Sequence, residues 1–190
     1  MKSDQHQART SSITNTVDTI RLRRATTADA RLLAEVAARW FEETFGPDND
    51  REDIRLYLAS SFSEEIQLAE LVEEGRAVWI AVDESGEWIG YASMRRGARG
   101  NGVAGDRPAE VQRIYADRKW HGRGVAASLM SACVEQARAW ECDVLWLAVW
   151  ERNPRAIAFY EKAGFRKVGR QTFVLGRDLQ SDDVMSRSLE

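Results

Sequence analysis

Apolar residues recur along this chain with two different periods, and these periods predict the order of its strands and helices. Residues 20–23 alternate apolar and charged side chains, which is typical of a short half-buried strand. From Leu32 to Phe41 the apolar residues return at steps of three and four, which predicts a helix that ends at Gly46-Pro47. Two shorter helices are predicted at 50–62 and 63–72, with the serine that opens the second helix as its N-cap.

The second half of the chain alternates strands and helices. Residues 77–82 and 88–94 are strand-like, and the turn formers between them predict an antiparallel hairpin, followed by a glycine-rich loop at 95–108. This order of elements predicts one mixed α/β domain over residues 20–190, preceded by a flexible polar tail at 1–19. The remaining predicted elements are a strand at 111–116, a helix at 124–140, a strand covered on both faces at 144–149, a helix at 154–163, and a hairpin of 165–175 with 183–189.

Charge and composition narrow the classes of function. The 190 residues include 27 Lys and Arg against 30 Asp and Glu, and a net charge of −3 lacks the basic excess of a general nucleic-acid binder. No run of about 18 apolar residues predicts a membrane span, and the N-terminus lacks the apolar core of a signal peptide. Cys133 and Cys142 form no CxxC pair, and with only two histidines no zinc ligand set can be assembled. Two free thiols indicate a cytoplasmic protein.

Candidate chemistry is concentrated in one strand–loop–helix segment. After the strand that ends at Ala116, a basic loop with two glycines leads into the next helix. Free N–H groups at a helix N-terminus bind phosphate, and glycine lets phosphate oxygens approach the backbone closely. The pattern therefore predicts a pyrophosphate site, in which we favour a backbone contact of His121 over a catalytic role of its ring. The predicted residues are Lys119, Trp120, His121, Gly122, Arg123, Gly124, Val125 and Ala126.

Two kinds of protein carry such a site. The spacing Gly122-x-Gly124-x-x-Ala127, with Asp143 about 20 residues further on, matches a dinucleotide-binding fingerprint. However, the glycines come well after the strand, and a hairpin precedes the unit, which is not the order of a doubly wound fold. The dinucleotide interpretation is therefore the weaker of the two.

The same segment resembles the acetyl-CoA motif of the GNAT superfamily of N-acetyltransferases, written Q/R-x-x-G-x-G/A. Here the motif is Lys119 to Gly124, with Lys where the family has Gln or Arg, so that a cation still faces the phosphates. The family's second motif, N-x-x-A-x-x-F/Y-Y-x-x-x-G-F, is matched by Asn153 to Phe165. Shorter runs that resemble the bacterial PaiA-type spermidine/spermine acetyltransferases lie at 41–46, 146–153, 169–176 and 183–185.

This resemblance spans about residues 20–189 and implies a fold, a co-substrate and a set of contacts. The fold would be α/β (α+β), a mostly antiparallel sheet of six to seven strands flanked by helices and splayed between strands 4 and 5, where the pantetheine arm enters. Acetyl-CoA would be the co-substrate, no metal would be needed, and a homodimer is a frequent assembly in the superfamily. The implied contacts are the backbone of Ile114, Tyr115 and Ala116, with Asn153, Ala156, Phe159 and Lys162; Asn153 is also placed to cap its helix.

Acetyl transfer to a primary amine in a ternary complex requires a base, because only about one amine in a thousand is neutral at pH 7. Glu110, at the start of the fourth strand, is the candidate base, and a solvated strand-end charge is the alternative. Tyr160 matches the family's general acid and would hydrogen-bond the leaving thiolate; the alternative is an aromatic side chain packed on the core. Cys133 lies on the apolar face of its helix, so we interpret it as core rather than as an acyl-carrying nucleophile.

The acceptor implied by the resemblance is a polyamine such as spermidine or spermine. Acidic residues at the end of the first long helix would supply the carboxylates that a polycation needs, although a solvated helix end has the same composition. A protein N-terminus, a lysine or another small amine is an alternative acceptor, and an acetyl-CoA-binding regulatory module without turnover is an alternative function. The residues assigned to the acceptor are Glu42, Glu43 and Trp150.

Overall fold

A seven-stranded sheet forms the centre of the molecule. The structure is a computed structural model that describes residues 19–189, so the predicted tail at 1–19 lies outside the described residues except for its last position. The strand order is β1-β2-β3-β4-β5-β7-β6, and every neighbouring pair is antiparallel except β4 and β5, which confirms the expected fold class. The strands are β1 Arg21–Arg24, β2 Arg76–Val82, β3 Trp88–Arg96, β4 Pro108–Ala116, β5 Val144–Trp150, β6 Arg166–Leu175 and β7 Asp178–Ser188.

Helices pack on the two faces of this sheet, and side-chain caps fix where three of them begin. Asp50 accepts hydrogen bonds from the N–H groups of Glu52 and Asp53, and Ser63 accepts one from Ile66, as the sequence predicts for that serine. None of the helices within residues 19–189 is long and apolar enough to cross a membrane. The helices are α1 Ala30–Phe45, α2 Arg51–Ser61, α3 Glu64–Val72, α4 Val125–Ala139 and α5 Pro154–Lys162.

Two apolar clusters hold the helices on the sheet. One cluster joins α4 and α5 to one face and includes Leu129, Cys133 and Tyr160, whereas the other joins α1 and α2 to the opposite face through Trp40 and Phe41. Cys133 is fully buried, and burial raises the pKa of its thiol to about 12. A fully buried thiol with a raised pKa is a poor nucleophile, which supports the interpretation of Cys133 as a core residue.

The fold places an opening between its two parallel strands. β4 pairs with β5 only from Pro108 to Glu110, opposite Val144 to Trp146. Beyond Glu110, β4 continues as far as Ala116 with only β3 as its partner. The edge of β4 that faces β5 therefore leaves the ladder at Glu110, which is the splay between strands 4 and 5 that the resemblance implies.

The structure corrects the predicted bounds of the last hairpin, and it argues against the dinucleotide-binding interpretation. The last strand begins at Asp178 and not at 183, because Gly176 adopts φ +59° in a tight turn and the polar residues after it pair with β6. Asp143, the acidic residue of the dinucleotide alternative, accepts hydrogen bonds from the backbone N–H groups of Asp106 and Arg107 at 2.9 and 3.1 Å. It therefore anchors the glycine-rich loop, and a mostly antiparallel sheet is not a doubly wound fold.

Candidate active site

A cavity of about 320 Å³ opens where β4 and β5 separate. Its walls come from α1, α2 and α5 and from strands β4 to β7, so that helices of both sheet faces meet there. The cavity also has an aromatic wall on the α1 and α2 side, formed by Phe41, Phe45, Tyr57, Phe62 and Phe173. The predicted site residues that it brings together are Glu110, Ile114, Tyr115, Ala116, His121, Trp150, Asn153, Ala156 and Tyr160.

The predicted phosphate loop has the backbone conformation that such a loop requires. Gly122 and Gly124 have φ of +77° and +91°, and a Cβ at Gly122 would meet no heavy atom within 4 Å, so glycine is required there by the backbone rather than by crowding. Helix α4 starts after Gly124 with no side-chain cap and no acidic residue in its first turn. Its first N–H groups are therefore suited to an anion. The backbone of this loop can therefore accommodate an anion such as a pyrophosphate.

The side chains around the loop contribute unequally. Arg123 is exposed, and its guanidinium carbon lies 5.3 Å from the centre of the Trp120 ring. Lys119 is exposed as well, and its N–H donates to Asp117. The side chain of Val125 is buried in the core, so only its backbone could reach a phosphate. Ala126 is half-buried one residue further along α4.

Two predicted cofactor residues lie apart from the main cavity. Phe159 and Lys162 line a separate hollow between α4 and α5, together with Met130 and Arg187. The structure therefore does not bring them to the opening between β4 and β5. They share α5 with Tyr160 but point to a different surface of the protein.

The His121 ring is held by two hydrogen bonds. Its Nδ1 lies 2.6 Å from Nη1 of Arg155, and its Nε2 lies 3.1 Å from the carbonyl oxygen of Ala116. Because a guanidinium can only donate, Nδ1 accepts, and Nε2 carries the proton that it donates to Ala116. Both ring nitrogens are thus engaged in linking α5 to the end of β4. Arg155, which the sequence analysis did not single out, is the second partner in this link.

Tyr160 and Asn153 are positioned by α5. The Tyr160 ring is buried against Phe159 and Phe165, with ring centres 5.3 and 6.0 Å apart, and it also borders the cavity. Burial holds the pKa of its phenol well above the ordinary value, so it stays protonated and can donate a hydrogen bond. Asn153 caps α5 by accepting from the N–H of Ala156 at 3.1 Å, and the cap uses Oδ1.

Glu110 is a buried wall residue of the cavity and is not a solvated strand end. It is the third residue of β4 and is 9% exposed. Its Oε2 accepts a hydrogen bond of 2.8 Å from Nε of Arg95, the residue opposite it on β3. The ion pair fixes one carboxylate oxygen at the place where β4 and β5 begin to separate.

The two acidic residues assigned to the acceptor lie outside the cavity. Glu42 and Glu43 are exposed on α1, and Glu43 forms an ion pair of 4.0 Å with Arg39. Glu43 also lines a shallow neighbouring hollow together with Trp150, whereas Glu42 lines neither surface. Of the three assigned residues, Trp150 alone borders the main cavity.

The sequence analysis missed an acidic residue that does line the cavity. Asp182 on β7 is 7% exposed, and its Oδ1 has no hydrogen-bond partner among residues 19–189. Burial, together with the nearby charges of Asp183 and Glu151, raises its pKa to about 6. Its signal in the sequence was an alternation of Gln180, Asp182 and Val184 on one face of a strand that was predicted to start at 183. In the described part of the chain, no group of three or more His, Cys, Asp or Glu side chains could hold a metal ion.

Comparison with known proteins identifies the family. Residues 33–165 match the acetyltransferase (GNAT) family. The chain belongs to this family. Acetyl-CoA is accordingly its co-substrate, and the loop and the opening described above are the parts of this chain that fit it.

Two relatives of this GNAT chain are similar over most of its length. It is 35% identical over 161 residues to an uncharacterised N-acetyltransferase of Mycobacterium tuberculosis, covering 85% of this chain and 98% of the relative. It is 32% identical over 155 residues to another of Lactobacillus delbrueckii subsp. lactis, covering 81% and 88%. Both are named as N-acetyltransferases, and the chain is an acetyl-CoA-dependent N-acetyltransferase.

A solved structure repeats the fold. The PaiA N-acetyltransferase from Thermoplasma acidophilum in complex with coenzyme A superposes with a TM-score of 0.73 at 20% identity, covering 90% of this chain and 99% of that one. At this level of identity the likeness concerns the fold and not the acceptor.

Proposed function

We propose that this N-acetyltransferase acetylates a primary amine of a polyamine such as spermidine or spermine. The observation that carries the proposal is the charge of the cavity: two buried carboxylates, Glu110 and Asp182, line it together with aromatic rings. Carboxylates replace the water around ammonium groups, and aromatic faces attract cations. The likeness to the PaiA fold and the PaiA-type sequence runs support the same acceptor class.

The cations that line the cavity are already engaged. Arg113 forms a two-pronged pair with the Glu70 carboxylate at 2.6 and 3.0 Å, and its guanidinium lies 5.1 Å from the Phe62 ring centre. Arg155 donates to His121. An acceptor that carries a carboxylate would have to displace one of these partners, whereas an acceptor with several ammonium groups meets Asp182 directly. The unpartnered buried carboxylate of Asp182 therefore favours a polycation.

Glu110 is the proposed base. A primary ammonium must lose one proton before its nitrogen can attack and a second one afterwards, and a fixed carboxylate at the opening can accept such a proton directly or through water. Arg95 keeps the carboxylate in place without occupying both of its oxygens. Acetyl-CoA supplies the acetyl thioester: the amine nitrogen bonds to the acetyl carbon, the carbon–sulfur bond breaks, and the sulfur leaves as a thiolate that takes up one proton.

The open edge of β4 and Tyr160 are the proposed stabilisers of charge. Between Ile114 and Ala116, the backbone N–H groups that point to the β5 side, where β4 has no strand partner among the described residues, are suited to an oxyanion. The Tyr160 phenol, which is protonated at neutral pH and whose pKa burial raises further, is suited to donate a hydrogen bond to the leaving thiolate. Cations of the loop between β4 and α4 would hold the phosphates, so that binding and chemistry fall to different elements.

The test is release of free thiol from acetyl-CoA with spermidine, spermine, a lysine-containing peptide and a peptide that starts with alanine. A reaction without amine subtracts the signal of Cys133 and Cys142. We expect kcat/KM for the polyamines to exceed that for either peptide at least tenfold. Turnover with peptides alone would overturn the polyamine assignment, and acetyl-CoA binding without turnover on any amine would favour a regulatory module.

A further inference from the structure

Asp182 is a buried carboxylate whose surroundings do not neutralise it. It lies opposite Trp150 of β5 and Gln171 of β6, so these three side chains share the face of the sheet that borders the cavity. It is 7% exposed, and its Oδ1 has no hydrogen-bond partner within residues 19–189. A buried charge is costly unless something pairs with it.

The charged groups of the neighbouring elements do not supply that pair. On β6, Lys167 and Arg170 form ion pairs with Asp183. Asp183 is the residue after Asp182 on β7, so its side chain lies on the opposite face of the strand. Arg170 also lies 3.5 Å from Glu151.

On the cavity side, the Arg113 guanidinium of β4 is paired with Glu70, and the flanking Gln171 and Gln180 are neutral. From α2, Tyr57 presents a phenol that burial keeps protonated, with its pKa raised. Asp182 is therefore a buried carboxylate that could pair with a cation supplied by a ligand.

The second carboxylate of the cavity lies at a distance along the same sheet. Glu110 is in register with Trp146 of β5, and Asp182 with Trp150. Four residues of a strand span about 13 Å, and the two carboxylates are on β4 and β7, on either side of β5. One carboxylate is therefore at the opening between the parallel strands, and the other is well removed from it.

We propose that Asp182 binds a second, non-reacting ammonium group of the acceptor and so selects polycations over amines with a single charge. This inference rests on the proposed function, since it assigns the two ends of the polyamine to two carboxylates: the reacting nitrogen to Glu110 and a distant nitrogen to Asp182. Successive nitrogens of a polyamine are separated by a few methylene groups, which the aromatic wall of the cavity is suited to cover.

The test compares spermidine with n-butylamine, a primary amine with one charge, in wild-type enzyme and in Asp182→Asn. We expect wild type to prefer spermidine at least a hundredfold in kcat/KM. The substitution is expected to lower this preference at least tenfold through KM, and to change the n-butylamine value far less. Asp183→Asn is the matched control, because it removes the neighbouring carboxylate, which faces away from the cavity and is paired with β6; it should keep the preference.

The outcomes separate the two proposals. If wild type prefers spermidine and Asp182→Asn keeps the whole preference, the role of Asp182 is wrong and the polyamine assignment stands. If wild type shows no preference for spermidine over n-butylamine, the polyamine assignment itself fails. Asp182→Glu, which keeps the charge, should restore most of the preference.

A measurement on wild type alone applies even if the variants do not fold. With the pKa of Asp182 raised to about 6, its carboxylate is charged at neutral pH and becomes protonated below pH 6. KM for spermidine should therefore rise relative to KM for n-butylamine as pH falls from 7.5 to 5.5. Any effect on the shared chemical step applies to both amines and cancels in this ratio, so a ratio that does not change with pH would contradict the inference.

Discussion

The proposed phosphate and acceptor ends of the candidate active site are built in different ways. The proposed phosphate end is one continuous loop, in which left-handed glycines and the start of α4 present backbone N–H groups. The acceptor end is assembled from side chains of α1, α2, β4, β6 and β7 that are far apart in the sequence. A site made of backbone is defined by local conformation, whereas a site made of side chains depends on which strands become neighbours. Substitutions at the two ends should consequently affect different kinetic constants.

The largest effect is expected at the opening between β4 and β5, where the two ends meet. Glu110→Gln removes the proposed base and should lower kcat at pH 7 by about 10²–10³-fold, with little change in the Kd of acetyl-CoA. Because the free amine becomes more abundant as pH rises toward about 10, the deficit should shrink with increasing pH. A pH–rate profile of both enzymes checks this. A deficit of the same size at every pH would contradict the role of Glu110 as a base.

The next effect tests whether Tyr160 serves the chemistry rather than binding. Tyr160→Phe should lower kcat by about 10–100-fold, because the leaving thiolate loses a hydrogen-bond donor, while acetyl-CoA binds as before. Stopped-flow rates and calorimetric binding measure the two quantities separately. Tyr91→Phe is the matched control: it also removes a buried phenol hydroxyl, one that has no partner in the described structure and does not border the cavity. Equal losses in both variants would remove Tyr160 from the mechanism.

A third prediction concerns the phosphate end alone. Gly124→Val places a side chain where φ is +91°, so the loop must change its conformation, and the Kd for acetyl-CoA should rise at least tenfold. Gly86→Val is the control, because Gly86 has nearly the same φ, +90°, in the distant β2–β3 turn. A Cβ at Gly86 meets nothing within 4 Å, and one at Gly124 meets Ile20 Cδ1 at 3.9 Å, an ordinary van der Waals contact, so crowding does not distinguish the two positions.

Both valine variants should lose similar stability in thermal denaturation, and only Gly124→Val should lose affinity. If both variants bind acetyl-CoA as wild type does, the pyrophosphate lies elsewhere.

The same difference between the two ends explains what the sequence could predict. The loop from Lys119 to Gly124 is formed by one continuous run of residues, and so is the capped start of α5 at Asn153. The spacing of residues within each run is therefore enough to predict its local structure. The alternating and helical apolar patterns likewise predicted the seven strands and five helices to within a few residues, except for the start of β7. The strand order was not predicted, since no local pattern states that β7 inserts between β5 and β6.

The acceptor end could not be predicted in the same way. Glu42 and Glu43 were chosen because acidic residues are frequent there, but α1 turns its apolar face to the sheet and these carboxylates toward solvent. Asp182 was overlooked because the first residues of β7 are mostly polar, and in the sequence a polar strand cannot be distinguished from a loop. Only the register of β7 with β5 and β6 shows that these polar side chains face a cavity.

The smallest expected effect is on stability, and it follows from the cost of keeping Asp182 charged. A carboxyl whose pKa rises from 3.8 to about 6 on folding holds its proton more tightly in the folded protein, so stability falls as pH rises through this interval and the full penalty is present above pH 6. Asp182→Asn should therefore unfold at higher temperature than wild type at pH 8, by the equivalent of about 1–3 kcal/mol, and at nearly the same temperature near pH 4. Adding spermidine at pH 8 should raise the melting temperature of wild type more than that of the variant, because the ammonium group offsets the buried charge. A variant that is less stable than wild type at pH 8 would mean that Asp182 is a structural residue, and the acceptor end would then lack its distant carboxylate.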